Sequence, residues 1–194
     1  FDILKIKPYE SAIKETKKLD DNTFLIKAGL NYPAIKFNRE IYLRAKKWLI
    51  IIDKLNFAKK RGAKQWFHLN KGYNLIKSKD NRLIFEDKKD NKELIVNCLN
   101  KSGKVLVHKG DKEDMQGFMS EKDYVFCPSI ALGFEFNTQN EEIITILATK
   151  REYEFEALET ANKLGLKTNI KDFKQNNIPD LVDGLPHNNY LGLE

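Results

Sequence analysis

Trp66 and His68 alternate along an extended run, so a strand there places both rings on one face, with Lys64 beside them. An aromatic plane, an imidazole and an ammonium on one sheet face could bind a sugar acid. The alternative is that Trp66 packs beneath a loop and His68 is a satisfied edge residue, because alternation fixes only which face a residue occupies. Arg39, Tyr42 and Arg44 lie along another extended run, with Tyr42 and Arg44 facing together. A guanidinium fork matches the geometry of carboxylate and sulfate groups. For each arginine taken singly, a solvated outer face is the plainer reading. Asp53 closes an Ile-rich run. A carboxylate there could orient a reacting group, but such residues more often accept backbone N–H bonds in a turn, and the turn is expected.

Other chemistry finds little support. His68, His108 and His187 share no metal-ligand spacing, and Cys98 and Cys127 lack a CxxC arrangement, so no metal is expected. Each cysteine sits among apolar residues, where a buried thiol is the default; a disulfide would require an oxidising compartment. There is no Gly-rich phosphate loop, no GxSxG elbow and no HExxH, and Ser120 and Ser129 lack a nucleophile's context. No cofactor is expected. The net charge of +6 would suit a polyanion. A compositional bias explains it equally well, since the lysines are scattered among carboxylates and only Lys46-Lys47 and Lys59-Lys60-Arg61 form basic knots. Neither an RRM-type aromatic strand nor a helix-turn-helix signal is present, so nucleic acid is not an expected partner. The densest apolar stretch, Trp48 to Ile52, has the length of a strand, and no membrane span is expected. The chain opens on Phe1 with no basic-then-apolar leader, as a piece of a larger protein would.

The elements that must position these residues are strands. Hydrophobic residues make up 41% of the 194, enough for a packed core. Residues 3–7 alternate loosely before Pro8, and residues 23–28 are strand-like up to Gly29. Ile35, Phe37, Ile41 and Leu43 fall on odd positions, close to the period of a half-buried strand. Trp48 to Ile52 is continuous and β-branched, as a central strand covered on both faces should be. Further strands are predicted at 65–69, 73–77 and 82–86, with turns at 70–72 and 79–81. Residues 93–99 and 104–108 flank 100–103, a plausible hairpin connection. The last pair, 130–136 and 143–149, is joined across 137–142. About a dozen strands with polar joints and no intervening helix indicate a mainly β fold, a two-layer antiparallel β-sandwich over residues 1–150. Residues 151–194 form an appendage. Phe155, Leu158, Ala161 and Leu164 recur at three-residue steps before Gly165, which predicts a helix over 152–164. A second short helix near 171–174 is also expected.

Two segments together carry a family resemblance. In the first, a strand runs from Arg44 through Trp48 to Asp53 and Leu55, a basic loop follows, and Trp66, His68 and Leu69 precede a turn at Gly72. In the second, Gly117, Phe118, Ser120 and Tyr124 precede Pro128, a strand to Phe136, and a closing Thr-containing strand over 143–147. In order and spacing, residues 20–150 resemble the C-terminal β-sandwich domain of the heparinase II/III-like polysaccharide lyases. The resemblance implies a supersandwich-like β-domain preceded by an N-terminal α/α toroid of the same chain. It also implies β-elimination on a uronic-acid-containing acidic polysaccharide, in a bacterial protein that is periplasmic, secreted or held at the envelope. The toroid and a His-containing segment upstream would supply most of the chemistry. Neither is present here, so the chain is expected to shape the groove without catalysing alone. Arg39, Arg44, Trp66 and His68 are the candidate substrate contacts. A non-catalytic carbohydrate-binding or assembly module in surface-polysaccharide metabolism is the alternative.

Overall fold

The computed structural model describes residues 10–32, 34–113, 115–122 and 125–166. The strand expected at residues 3–7 and the short helix expected near 171–174 lie outside them. The described strands are β1 (Glu10–Lys18), β2 (Thr23–Tyr32), β3 (Ile35–Arg44), β4 (Trp48–His68), β5 (Tyr73–Lys79), β6 (Arg82–Asp87), β7 (Lys92–Cys98), β8 (Lys104–Lys109), β9 (Phe118–Lys122), β10 (Val125–Pro128) and β11 (Ile130–Ala148); α1 (Arg151–Lys163) follows. Their pairings are antiparallel.

Two strands belong to both layers of the sandwich. β4 and β11 pair from Trp48↔Ala148 to His68↔Ala131, with the ladder interrupted between Asn56 and Arg61 on one strand and between Thr138 and Asn140 on the other. The Gln65 side-chain amide nevertheless donates to Asp53 Oδ2 at 2.8 Å. Twelve residues of straight strand would hold them about 40 Å apart. The ribbon therefore folds back on itself at the interruption. The first layer is β1-β2-β3, the 48–56 half of β4, the 140–148 half of β11, then β7-β6-β5. The second is the 61–68 half of β4, the 130–138 half of β11, and β8. β9 and β10 form a separate small hairpin.

The main core lies between the layers. Leu83 and Phe85 on β6 and Val96 and Cys98 on β7 meet Leu132, Phe134 and Phe136 on β11, all nearly or fully buried. Residues of even number on the first half of β4 point the other way and meet the helix. Trp48, Ile50, Ile144 and Ile146 pack against Ala157, Leu158 and Ala161 of α1. Small residues at 157 and 161 let the helix approach the sheet closely. Its end is set by Gly165, at φ 75°, whose N–H donates to Asn162 O at 3.0 Å.

Trp48 to Ile52 is a central strand buried on both faces, as expected. Other expectations change. Gly29 does not end a strand but lies inside β2. The basic stretch Lys59-Lys60-Arg61 is not a loop; it is the exposed bend of β4. Residues 137–142 likewise do not join two strands, because β11 runs through them. β7 and β8 do not form a hairpin: β7 pairs with the first-layer half of β11 and β8 with the second-layer half, so 99–103 crosses between layers. Local pattern shows polar residues at a bend and cannot distinguish a loop from a strand that continues through it.

Candidate functional site

The outer face of the second layer carries the expected Trp66–His68 pair. Gln65 points inward to Asp53, so Trp66 and His68 point out. Trp66 lies opposite Gly133 on β11. A Cβ built on Gly133 would lie 2.6 Å from Trp66 Cζ3, so the ring rests on the bare backbone of that residue. His68 and His108 are both in register with Ala131, one on each flank of β11. The floor between the two histidines is thus a methyl group, and the floor beneath Trp66 is a glycine. Ala131 and Gly133 are themselves buried, so the indole and the two imidazoles cover β11 here as one aromatic patch. The Trp66 and His108 rings are 5.6 Å apart at a tilt of 58°. Lys64 and Glu135 pair at 3.4 Å at one end.

A tight loop holds the other end. His108 Nδ1 sits 2.8 Å from Asp111 Oδ2, which fixes the ring plane. The Asp111 backbone is held by paired hydrogen bonds with Gln116. Gly110 N–H and Ser129 N–H both donate to Gly117 O, at 2.9 and 2.7 Å. Gly117 has φ 73°, and a Cβ there would lie 2.7 Å from His108 O, so a side chain is excluded on both grounds. The sequence reading did not single out His108, Asp111 or Gly133 as a group. An isolated glycine inside a strand was the available signal, since it often marks a close approach.

Gly133→Ala is expected to lift the Trp66 ring off the sheet. The overpacking should lower stability by about 1–3 kcal/mol. Indole emission should shift toward that of a solvated ring, and an unchanged spectrum would contradict the contact.

The four candidate contacts do not share one wall. Arg39 faces the interlayer space, where Nε and Nη2 each donate to Asp53 at 2.6 Å. Arg44 faces the helix side, with Nε 2.8 Å from Glu156 Oε1 and Nη1 donating to Thr23 Oγ1 at 2.8 Å. Partial burial by itself would raise the Glu156 carboxyl, but the Lys47 hydrogen bond and the Lys47 and Arg44 charges hold it below its ordinary range. Asp53 is not a turn residue. It lies mid-strand, 2% exposed, and accepts from Arg39 and Gln65. Cys98 is buried and its thiol is pushed up to about 11, chiefly by desolvation, so it is no nucleophile at neutral pH.

Among the described residues no group of three or more His, Cys, Asp or Glu side chains is placed to hold a metal. No described helix is long and apolar enough to cross a membrane. A groove of about 270 Å³ on β1–β3, lined in part by Lys14, Lys36 and Asn38, is on a different surface from Trp66.

No protein-family model matches the sequence, and no curated protein does. Solved structures do match. The heparan sulfate lyase HepC of Pedobacter heparinus aligns at TM-score 0.61 and 16% identity, over 72% of this chain and 21% of that one. Over the aligned residues the fold is that of heparinase III. A second heparinase III structure, with methylated lysines, aligns at TM-score 0.59 and 16% identity over 74% and 22%. A third aligns at TM-score 0.55 and 16% identity over 71% and 20%. The chain thus spans about a fifth of the length of the proteins it matches.

Proposed function

We propose that this chain is the β-sandwich portion of a larger lyase that cleaves an acidic, uronate-containing polysaccharide by β-elimination. In that protein it shapes one wall of the substrate groove and braces the domain that carries the chemistry. The observation that carries the reading is the fold likeness to heparan sulfate lyases, confined to about a fifth of their length. The chemistry of the described residues agrees with it. β-Elimination needs a base for the proton α to the carboxylate, a neutralised carboxylate, and an acid for the leaving oxygen. Here Arg39, Arg44 and Arg82 already neutralise carboxylates of the chain itself. What the surface offers is recognition: Trp66 as an apolar platform for a sugar ring, with His68, His108 and Lys64 around it and a net charge of +6.

The test is absorbance of the unsaturated uronate product over a panel of uronic-acid polymers. The 194-residue chain should give none, and the longer protein should give a rise on at least one polymer. A folded longer protein inert on the whole panel overturns the enzymatic reading. Salt-sensitive binding of an acidic glycan without cleavage would then favour a binding module. In the active protein, Trp66→Ala should raise KM on the order of tenfold with little change in kcat, the loss of about 1.4 kcal/mol of uniform binding.

A further inference from the structure

α1 covers the outer face of the first layer over β4 and β11. Beyond the helix that face continues across β3, β2 and β1, on the side of the sandwich opposite Trp66. Its middle rows neutralise themselves. Lys27 pairs with Glu15 at 2.9 Å, and Lys54 with Glu40 at 3.3 Å and Glu142 at 3.6 Å.

Toward the end of these strands the pattern breaks. β1 carries one residue more than β2 between Ile13 and Glu15, and this bulge turns Lys14 to the outer face. The Lys14 stem lies across Gly29, where a Cβ would collide with its Cε and Nζ, and Nζ donates to Asn38 Oδ1 at 2.8 Å. Ala12, Gly29 and Asn38 are in register across the three strands, and so are Glu10, Asn31 and Lys36. The first row has a methyl group and bare backbone for its floor. The second raises a carboxylate and an ammonium two strand spacings, about 10 Å, apart. The groove of about 270 Å³ lies along these two rows. Among the described residues neither Lys14 nor Lys36 pairs with a carboxylate, and the side chains of Glu10 and Asn31 make no hydrogen bond.

We propose that this groove binds one acidic sugar residue, a hexuronate unit, as a second carbohydrate contact remote from Trp66. The two ammoniums that lack a carboxylate take the sugar's carboxylate. Ring hydroxyls both donate and accept, and the groove offers both kinds of partner in the Asn31 and Asn38 amides and the Glu10 carboxylate. The floor of Ala12 and Gly29 takes the C–H face of the ring. A bare inorganic anion has no use for Glu10 and is repelled by it. The volume is near the small end for ligand pockets, which suits one or two rings and not a longer segment. The ligand class coincides with that of the proposed function, but the site stands on its own donors and acceptors, whether or not the longer protein cleaves.

Titration of the 194-residue chain with sodium glucuronate at fixed ionic strength, followed by residue-level amide NMR, tests this, with glucose and sodium sulfate as controls. Glucuronate should move the amides of Gly29, Asn31, Lys36 and Asn38 with a Kd of about 1 mM, the affinity a ligand of that size reaches at ordinary efficiency. Glucose should bind about tenfold more weakly for want of the carboxylate, and sulfate should leave those amides in place. Gly29→Ala puts a methyl group on the floor and displaces only the flexible end of Lys14, so the melting temperature should hold while glucuronate affinity falls about tenfold. Lys36→Ala, on an exposed position, should weaken glucuronate by a similar factor and glucose hardly at all. No movement of these amides at about twenty times that Kd overturns the inference, as does equal affinity for glucose or sulfate, or undiminished binding by both variants. Cleavage by the longer protein with no uronate bound at the groove sinks this inference and leaves the proposed function standing. Uronate bound here, with the longer protein inert on every polymer, supports it and sinks the enzymatic reading.

Discussion

Asp53→Ala should destabilise the chain by about 3 kcal/mol, because it strips the only carboxylate from a network that ties the two layers together. Arg39 reaches Asp53 from β3, and Gln65 reaches it from the second layer. Thr145 Oγ1 then donates to Gln65 Oε1 at 2.7 Å. Removing the carboxylate leaves a guanidinium and a buried amide without their acceptor. The Arg39 side chain is 36% exposed, so water relieves part of the penalty, and the effect falls at the lower end of the range for a broken buried pair. The urea midpoint should drop with no change in slope. Arg39→Lys should recover little, since an ammonium cannot reproduce the two-pronged contact. A midpoint within experimental scatter of the parent protein's would show that the network does not join the layers energetically.

The second large effect should come from the other side of the first layer. Glu154 is fully buried in the first turn of α1. Arg82 Nε donates to Oε1 at 2.8 Å and Nη2 to Oε2 at 2.7 Å, while the Asn97 amide adds a bond at 2.9 Å. Glu154→Ala leaves a cation and an amide facing an empty apolar interface, and about 3 kcal/mol should be lost. The helix itself should loosen, seen as faster amide exchange across 151–163 at unchanged exchange in β6 and β7. The paired change Glu154→Leu with Arg82→Met should restore most of the stability, because well-packed apolar residues can replace a buried ion pair at little cost. Failure of the paired change to recover would mean the carboxylate positions the helix in a way packing cannot.

Much of this architecture is legible in residue order. The Ile-rich run at 48–52, the hairpin at 73–87 and the helix before Gly165 follow from period, turn residues and a cap. The two-layer sandwich follows from the number of such runs. The bend of β4 does not. Lys59, Lys60 and Arg61 have the composition of a loop, yet β4 runs through them, and its long-range ladder to β11 resumes at Arg61 opposite Thr138. Asp53 departs from the expected turn role for a related reason. Its partners lie 14 and 12 residues away in sequence, on β3 and on the refolded half of its own strand, and no local pattern announces them. At the candidate surface, the shared face of Trp66 and His68 was readable from alternation. That His108 stands across Ala131 from His68 depends on β8 pairing with β11 and on nothing nearby in the sequence.

The ribbon shared by both layers has a bearing on how the protein is made. Trp48 meets Ala148, a hundred residues further on, and each layer needs both strands. A nascent chain can therefore pair its most apolar run with β3 alone, and the other flank stays open until residue 148 has left the ribosome. Such non-local closure is slow, and the waiting strand is prone to stick to its neighbours. Holding chaperones should raise soluble yield, and any stop before residue 148 should give aggregate in place of half a domain.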